Sequence, residues 1–190
     1  NRSTPTGGYQ VESSLEVAGL DVDIVKFAVS ATKYKTLFDF PNWGKHVISF
    51  GGSFGIVENT TDEQVPIFER FFAGGSGSMR GFSFRGVGPV DETTGEQIGG
   101  EILMLGTVEY TMPVYTDMAR GAIFLDVGKA DNEINDINLN NMRASVGFGV
   151  RVRVPFLGNS VVSVDFGIPL VRKDEDDTQT ITFNFGGAGQ

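Results

Sequence analysis

The chain has no cysteine and a single histidine, His46. That shortage removes disulfide frameworks, thiolate metal sites and cysteine nucleophiles, and leaves too few ligands or bases for a zinc site or a histidine triad. No catalytic residue, metal or cofactor is expected, so the chain is read as a non-enzyme. Basic residues are scarce too: 15 Lys plus Arg stand against 24 Asp plus Glu, for a net charge of -9. Such a balance argues against nucleic acid as a partner. Nor is there a run of about 18 apolar residues, which excludes an ordinary transmembrane helix. A transmembrane barrel stays open, because its strands alternate and their mean hydropathy stays low; here the mean is -0.04. The opening residues, Asn1-Arg2-Ser3-Thr4-Pro5, hold no apolar signal region, and a fragment cut from a longer protein is expected.

Glycine and phenylalanine are plentiful, at 26 and 16 residues, and apolar residues recur with a period of two, the mark of half-covered strands. Over 143–154, Ala144, Val146, Phe148, Val150, Val152 and Val154 share one face, opposite Arg143, Ser145, Gly147, Gly149, Arg151 and Arg153. Later, Val162, Val164, Phe166 and Ile168 oppose Ser163, Asp165 and Gly167, and Ile181, Phe183 and Phe185 oppose Thr180, Thr182 and Asn184. Upstream, Ile102, Met104, Val108 and Tyr110 oppose Glu101, Thr107 and Glu109, while Ile123, Leu125 and Val127 oppose Asp126. Leu103, Leu105 and Phe124 interrupt the polar side. Ile48, Phe50, Phe54 and Ile56, then Val25, Phe27, Val29 and Ala31, and a first segment over 9–18 complete a set of eight.

Segments of roughly 9 to 14 residues are long enough to cross a bilayer when tilted. The fold class is therefore all-β, an antiparallel transmembrane β-barrel over residues 1–190. Alternation alone does not say which face points inward, and a soluble ligand-binding barrel with its apolar face inside is an alternative. The polar faces carry small residues and opposed charges, Glu101, Glu109, Asp126, Arg143, Arg151, Arg153 and Asp165, as a hydrated lumen would. Connections of about nine residues around Pro41-Asn42-Trp43-Gly44, short ones at 112–118 and 155–159, and longer ones at 129–141 and 171–179 suggest two unlike rims. Lys173-Asp174-Glu175-Asp176-Asp177 reads as the solvated tip of an external loop, and Trp43, Tyr34 and Tyr115 as interfacial residues near strand ends. Gly74-Gly75-Ser76-Gly77-Ser78 lacks the Lys-Ser/Thr of a phosphate loop. Asp131-Asn132-Glu133 with Asn135 and Asp136 lacks the spacing of a calcium loop, and His46 reads as a rim residue near Trp43.

The longest connection, 58–100, falls between the third and fourth strands and is too rich in aromatics for a linker. It contains Pro66, Glu69, Arg70, Phe71, Phe72, Gly74 and Gly75, then the tetrad Met79-Arg80-Gly81-Phe82. These residues resemble the Pro-x-x-Glu-Arg-Phe-Phe-x-Gly-Gly segment and the Val-Arg-Gly-Phe-like tetrad of the BamA-type outer-membrane assembly factors. That family is also called the bacterial surface antigens; TamA and the two-partner secretion transporters are relatives. The resemblance continues through Gly99-Gly100, Val108-Glu109-Tyr110-x-x-Pro113, Phe124-Leu125-Asp126-x-Gly128 and Gly147-Phe148-Gly149-Val150-Arg151.

The resemblance implies a location in the bacterial outer membrane and the C-terminal half of a sixteen-stranded barrel. It implies, too, that Arg80 pairs with inner-wall acids, by position Glu109 and Asp126. Strand parity independently puts both carboxylates on polar faces of neighbouring strands. The implied activity is non-enzymatic insertion of nascent outer-membrane proteins at a weak seam, with the lipid bilayer, those substrates, and accessory lipoproteins acting through an N-terminal POTRA region as partners. A protein-translocating pore of the two-partner secretion type is the alternative. Phe183 and Phe185 mark the terminal strand, although the following Gly186-Gly187-Ala188-Gly189-Gln190 departs from the family's aromatic ending. Eight strands closing alone would leave little room for the long loop inside, so the loop is expected outside, or the barrel larger.

Overall fold

The computed structural model describes residues 5–19, 23–61, 63–115, 118–132, 141–154 and 160–186. The strands in chain order are β1 (Gly8–Ala18), β2 (Ile24–Phe40), β3 (Gly44–Asn59), β4 (Gly81–Phe82), β5 (Ile102–Tyr115), β6 (Ala119–Asp131), β7 (Arg143–Val154), β8 (Ser160–Val171), β9 (Thr178–Gln179) and β10 (Ile181–Gly186). Eight of them form one antiparallel sheet in the order β1-β2-β3-β5-β6-β7-β8-β10; β4 and β9 pair separately. Each of the eight alternating segments is thus a strand of the large sheet. Among the described residues β1 and β10 do not pair with each other. The sheet nevertheless curls, because Gln10 and Glu12 of β1 and Asn184 of β10 line one cavity of about 580 Å³.

Alternation dictates the two faces, and their exposure tells them apart. Ile123, Leu125, Phe148, Val150, Val152 and Ile168 are exposed, whereas Phe124, Asp126, Ser145 and Asp165 between them are buried. Apolar side chains therefore point out and charged ones in, the reverse of a soluble ligand-binding barrel. Two lysines break the outward pattern: Lys33 stands opposite Phe50 and Tyr9, and Lys35 opposite Ile48. Long stems let such side chains lift their ammonium groups toward water.

The long connection covers the polar face, so of the two expectations, a loop outside or a larger barrel, the first does not hold. Residues that interrupted the polar side explain why. Leu103 and Leu105 pack against a buried cluster of Ala73, Met79, Phe82, Val87 and Ala130, four of which come from the loop. A second cluster joins Val65 and Phe71 of the loop to Ile24 and Val57. Burying Met79 and Phe82 stabilises the docked loop by about 1.5–3 kcal/mol for each side chain.

Two connections are shorter than the alternation implies, and both have the same cause. The register shifts between Thr36 and Phe38 in β2 and between Pro113 and Tyr115 in β5. A bulge inverts side-chain parity beyond it, so a strand that continues stops looking like one. β2 and β3 are joined by a tight turn at 41–43, closed by Trp43 N–H donating to Phe40 O at 3.0 Å. A bulge also accommodates Pro113, which has no N–H for the ladder.

The loop and sheet approach most closely at glycines. Gly81 adopts φ +92°, a left-handed conformation that favours glycine. A Cβ at Gly167 of β8 would lie 2.5 Å from Gly81 N. Gly167→Val is therefore expected to push the tetrad off the sheet at an overpacking cost of about 1–3 kcal/mol. Limited proteolysis should then cut within 58–100 much faster than in the parent protein; equal cutting rates would refute this account of the contact.

Candidate functional site

The site begins with a turn. Gly74 and Gly75 both have positive φ, and Ser78 Oγ accepts from Gly74 N–H at 2.8 Å while donating to Gly74 O at 3.0 Å. Gly75 N–H is shared between Met79 O and Phe82 O, each at 3.1 Å. These backbone donors are spent within the turn, which is why the glycine-serine run is no phosphate cradle. The turn buries Met79 and Phe82 on the apolar seat and aims Arg80 at the wall between them.

Arg80 meets both carboxylates assigned to it. Its Nε and Nη2 donate to Oδ2 and Oδ1 of Asp126, each at 2.8 Å, its backbone N–H donates to Asp126 Oδ2 at 3.1 Å, and Nη1 donates to Glu109 Oε2 at 2.5 Å. This fork-on-fork geometry suits the planar guanidinium and no other cationic side chain. Beneath it lies the Phe124 ring, 3.5 Å from Cζ to centroid, where the ring face adds cation–π attraction. Burial opposes the charge, but hydrogen bonds and Coulombic attraction from Asp126 and Glu109 outweigh it and hold the Arg80 pKa above its ordinary value.

Three further residues complete the network. Thr107 Oγ1 donates to Asp126 Oδ1 at 2.6 Å and accepts from Arg80 Nη2 at 3.2 Å. Arg151 Nη2 donates to Glu109 Oε2 at 2.7 Å, and Arg151 Nη1 pairs with Asp165. With Phe124 below, charges alternate from Asp126 through Arg80, Glu109 and Arg151 to Asp165 across β5, β6, β7 and β8. Parity placed these groups on polar faces, yet their convergence depends on register: Thr107 is opposite Asp126, and Glu109 is opposite Phe124.

The earlier part of the loop frames the tetrad. Glu69 N–H donates to Pro66 O at 3.0 Å, Arg70 Nε donates to Val65 O at 2.9 Å, and Glu69 pairs with Lys26 at 3.5 Å. Phe71 exchanges two 2.8 Å backbone bonds with Gly100. Phe72 lies under the guanidinium of Arg85, at 4.3 Å. Phe183 and Phe185 lie elsewhere, exposed on the outward face of β10. His46 sits at the β2–β3 rim as expected, with its Nδ1 2.6 Å from Tyr110 Oη and its ring 5.8 Å from Trp43. Tyr34 is no interfacial residue: β2 runs well beyond it, and its side chain lines an inner cavity with Glu109 and Arg151. Trp43 and Tyr115 are exposed near strand ends. Asp131 pairs with Lys129 at 3.3 Å, while Glu133, Asn135 and Asp136 lie outside the described residues.

The chain as a whole is similar to known proteins. Residues 1–188 match the Omp85 superfamily domain. The chain belongs to the Omp85 superfamily. It is 30% identical over 170 residues to the outer membrane protein assembly factor BamA of Nitratidesulfovibrio vulgaris, covering 88% of this chain and 21% of that protein. It is 28% identical over 191 residues to a SAM50-like protein of Drosophila melanogaster, covering 96% of this chain and 40% of the relative. The chain thus spans well under half the length of these relatives. The crystal structure of BamA from Haemophilus ducreyi lacking POTRA domains 1–3 shares the fold, with a TM-score of 0.77 at 20% identity, over 96% of this chain and 39% of that one. As a BamA-type Omp85 segment, the chain is placed in the bacterial outer membrane.

Removing Arg80 leaves Asp126 and Glu109 in the wall without their shared cation. Arg80→Ala is expected to destabilise the docked loop by about 3–5 kcal/mol, the usual penalty for breaking a buried pair from one side. Arg80→Lys restores only part, because a point charge serves the two acceptors poorly. Urea unfolding of the two variants, followed by loop proteolysis, checks the ranking; equal stability of Ala and Lys variants would contradict it.

Proposed function

We propose that this chain is the C-terminal half of a sixteen-stranded transmembrane barrel that inserts nascent outer-membrane proteins. The observation that carries the reading is the seating of the tetrad: Arg80 locked by Asp126 and Glu109 inside an Omp85 sheet. Bacterial relatives named as assembly factors, with BamA of Nitratidesulfovibrio vulgaris among them, favour this over a two-partner secretion pore. The outward apolar face is the lipid-facing surface. Nothing in the mechanism requires a covalent step, so the protein is not an enzyme.

In this reading the working device is a strand edge. Among the described residues β10 covers Ile181–Gly186 and pairs with β8 on one side. The other side carries backbone donors and acceptors that, within lipid, need a partner strand. A nascent strand supplies one by β-augmentation. The docked loop holds the inner wall rigid behind that edge, and accessory lipoproteins act from the periplasm through the preceding POTRA region.

Two experiments test this. In the full protein, Arg80→Ala is expected to fail to complement depletion of the native assembly factor, with porin levels in the outer membrane falling about tenfold or more; full complementation with an ordered loop would end the functional reading of the tetrad. For the lipid-facing surface, Val150→Arg at the centre of β7 is expected to cost about 2–4 kcal/mol in bilayers, whereas Val171→Arg at the end of β8 costs far less. Denaturant titration in liposomes separates them, and equal costs would argue against a membrane-embedded β7.

A further inference from the structure

The charged run at 173–177, between β8 and β10, reads in the sequence as a solvated external tip; Lys173, Asp174, Glu175 and Asp177 are exposed accordingly, and the structure corrects the reading for Asp176. Asp176 is buried, and its carboxylate takes Arg143 Nε at 3.0 Å and Nη2 at 2.9 Å, while Lys173 N–H donates to Asp176 Oδ2 at 2.7 Å. Arg143 is itself only 3% exposed. The connection then grips the tetrad loop along its backbone. Ser83 N–H donates to Asp177 O at 3.0 Å, Asp177 N–H donates to Gly86 O at 2.9 Å, and Gln97 Nε2 donates to Glu175 O at 3.0 Å. Gly81 and Phe82 of the tetrad pair as a strand with Gln179 and Thr178.

The grip has a consequence for the last strand of the sheet. After Gln179 comes Thr180, whose carbonyl accepts from Gly167 N–H at 2.9 Å, and then β10 begins at Ile181. Gly167 is also the residue on which the tetrad backbone rests. The edge strand is thus tied within two residues to the tetrad's own strand partner. There is no slack between them, since consecutive Cα atoms are about 3.8 Å apart.

We propose that the β8–β10 connection is a latch, pinned by Arg143 and Asp176, that makes docking of the tetrad loop and placement of the edge strand β10 a single mechanical event. Arg143 and Asp176 are positioning residues. They act on the edge through β9 and β4 and touch no substrate. Pulling β10 away from β8 draws on Thr178 and Gln179 and so strips Gly81 and Phe82 of their partners. Conversely, undocking Arg80 frees β9 and loosens the first rungs of β10. The importance of the edge rests on the proposed insertase function; the coupling does not.

Hydrogen exchange on the full protein in nanodiscs, with and without Asp176→Ala, tests the latch. Asp176 is in a connection, so the sheet still forms. The expected result is that amides of Gly81, Phe82 and Ile181–Gly186 gain exchange together, by about tenfold, while those of Thr107 and Asp126 stay protected. A second variant inserts three glycines after Thr180; it is expected to keep the tetrad protected and to abolish the response of β10 to Asp176→Ala. Faster exchange confined to 172–177, or a β10 response that survives the insertion, would overturn the proposal. Complementation separates it from the insertase reading. Coupled exchange with normal assembly keeps the latch and removes the edge as the working device, whereas lost assembly without coupled exchange removes the latch alone.

Discussion

A guanidinium away from bulk water has to be matched by charge and geometry, and the architecture of this chain follows from how Arg80 is matched. Leaving one such charge unpaired costs more than most apolar contacts contribute. Docking the loop therefore requires Asp126 and Glu109 to stand side by side, which fixes the register of β5 against β6. It also requires an unobstructed approach, which Gly128 of β6 and Gly167 of β8 provide. Alternation of sign continues through Arg151 to Asp165, so four strands are linked by one chain of charges.

Apolar packing is arranged around that constraint and not the other way round. In a soluble sheet protein the strands supply the core. Here the strands turn their apolar residues outward, and the buried cluster is assembled from the loop, with Met79, Phe82, Ala73 and Val87 set against Leu103, Leu105 and Ala130. The loop replaces a second sheet as the covering layer. Its two anchors differ in kind, since the apolar seat is tolerant of small shifts whereas the bidentate arginine is not. Together they explain how a long connection with little regular structure holds one conformation.

The far end of the chain is part of the same assembly. β9 extends the tetrad as a strand, and the Arg143–Asp176 pair closes the connection over it. Over its described residues, β10 pairs with β8, exposes Phe183 and Phe185 on its outward face and is tethered to the loop at its start.

Much of this was legible in the sequence, and the limits of legibility have physical causes. Period-two alternation identified every strand of the large sheet, because one-sided burial leaves that mark wherever the ladder is regular. It failed at the bulges near Leu37 and Val114, where parity inverts, and so placed Tyr34 near a strand end. The pairing of Arg80 with Glu109 and Asp126 followed from motif and parity together, since both acids lie on polar faces of adjacent strands. Leu103, Leu105 and Phe124 looked like flaws in that face; they are the seat of the loop, which only a structure containing the loop reveals. Asp176, in a run of charges that reads as solvated, is buried because Arg143 is there to meet it, and no local pattern records a partner 33 residues away. The sequence by itself determined the strands, their two faces and the identity of the anchoring arginine, all properties of short-range periodicity and residue chemistry. Tertiary structure decided register, the inward course of the loop and the closure over the tetrad, because each depends on contacts between segments far apart in the chain.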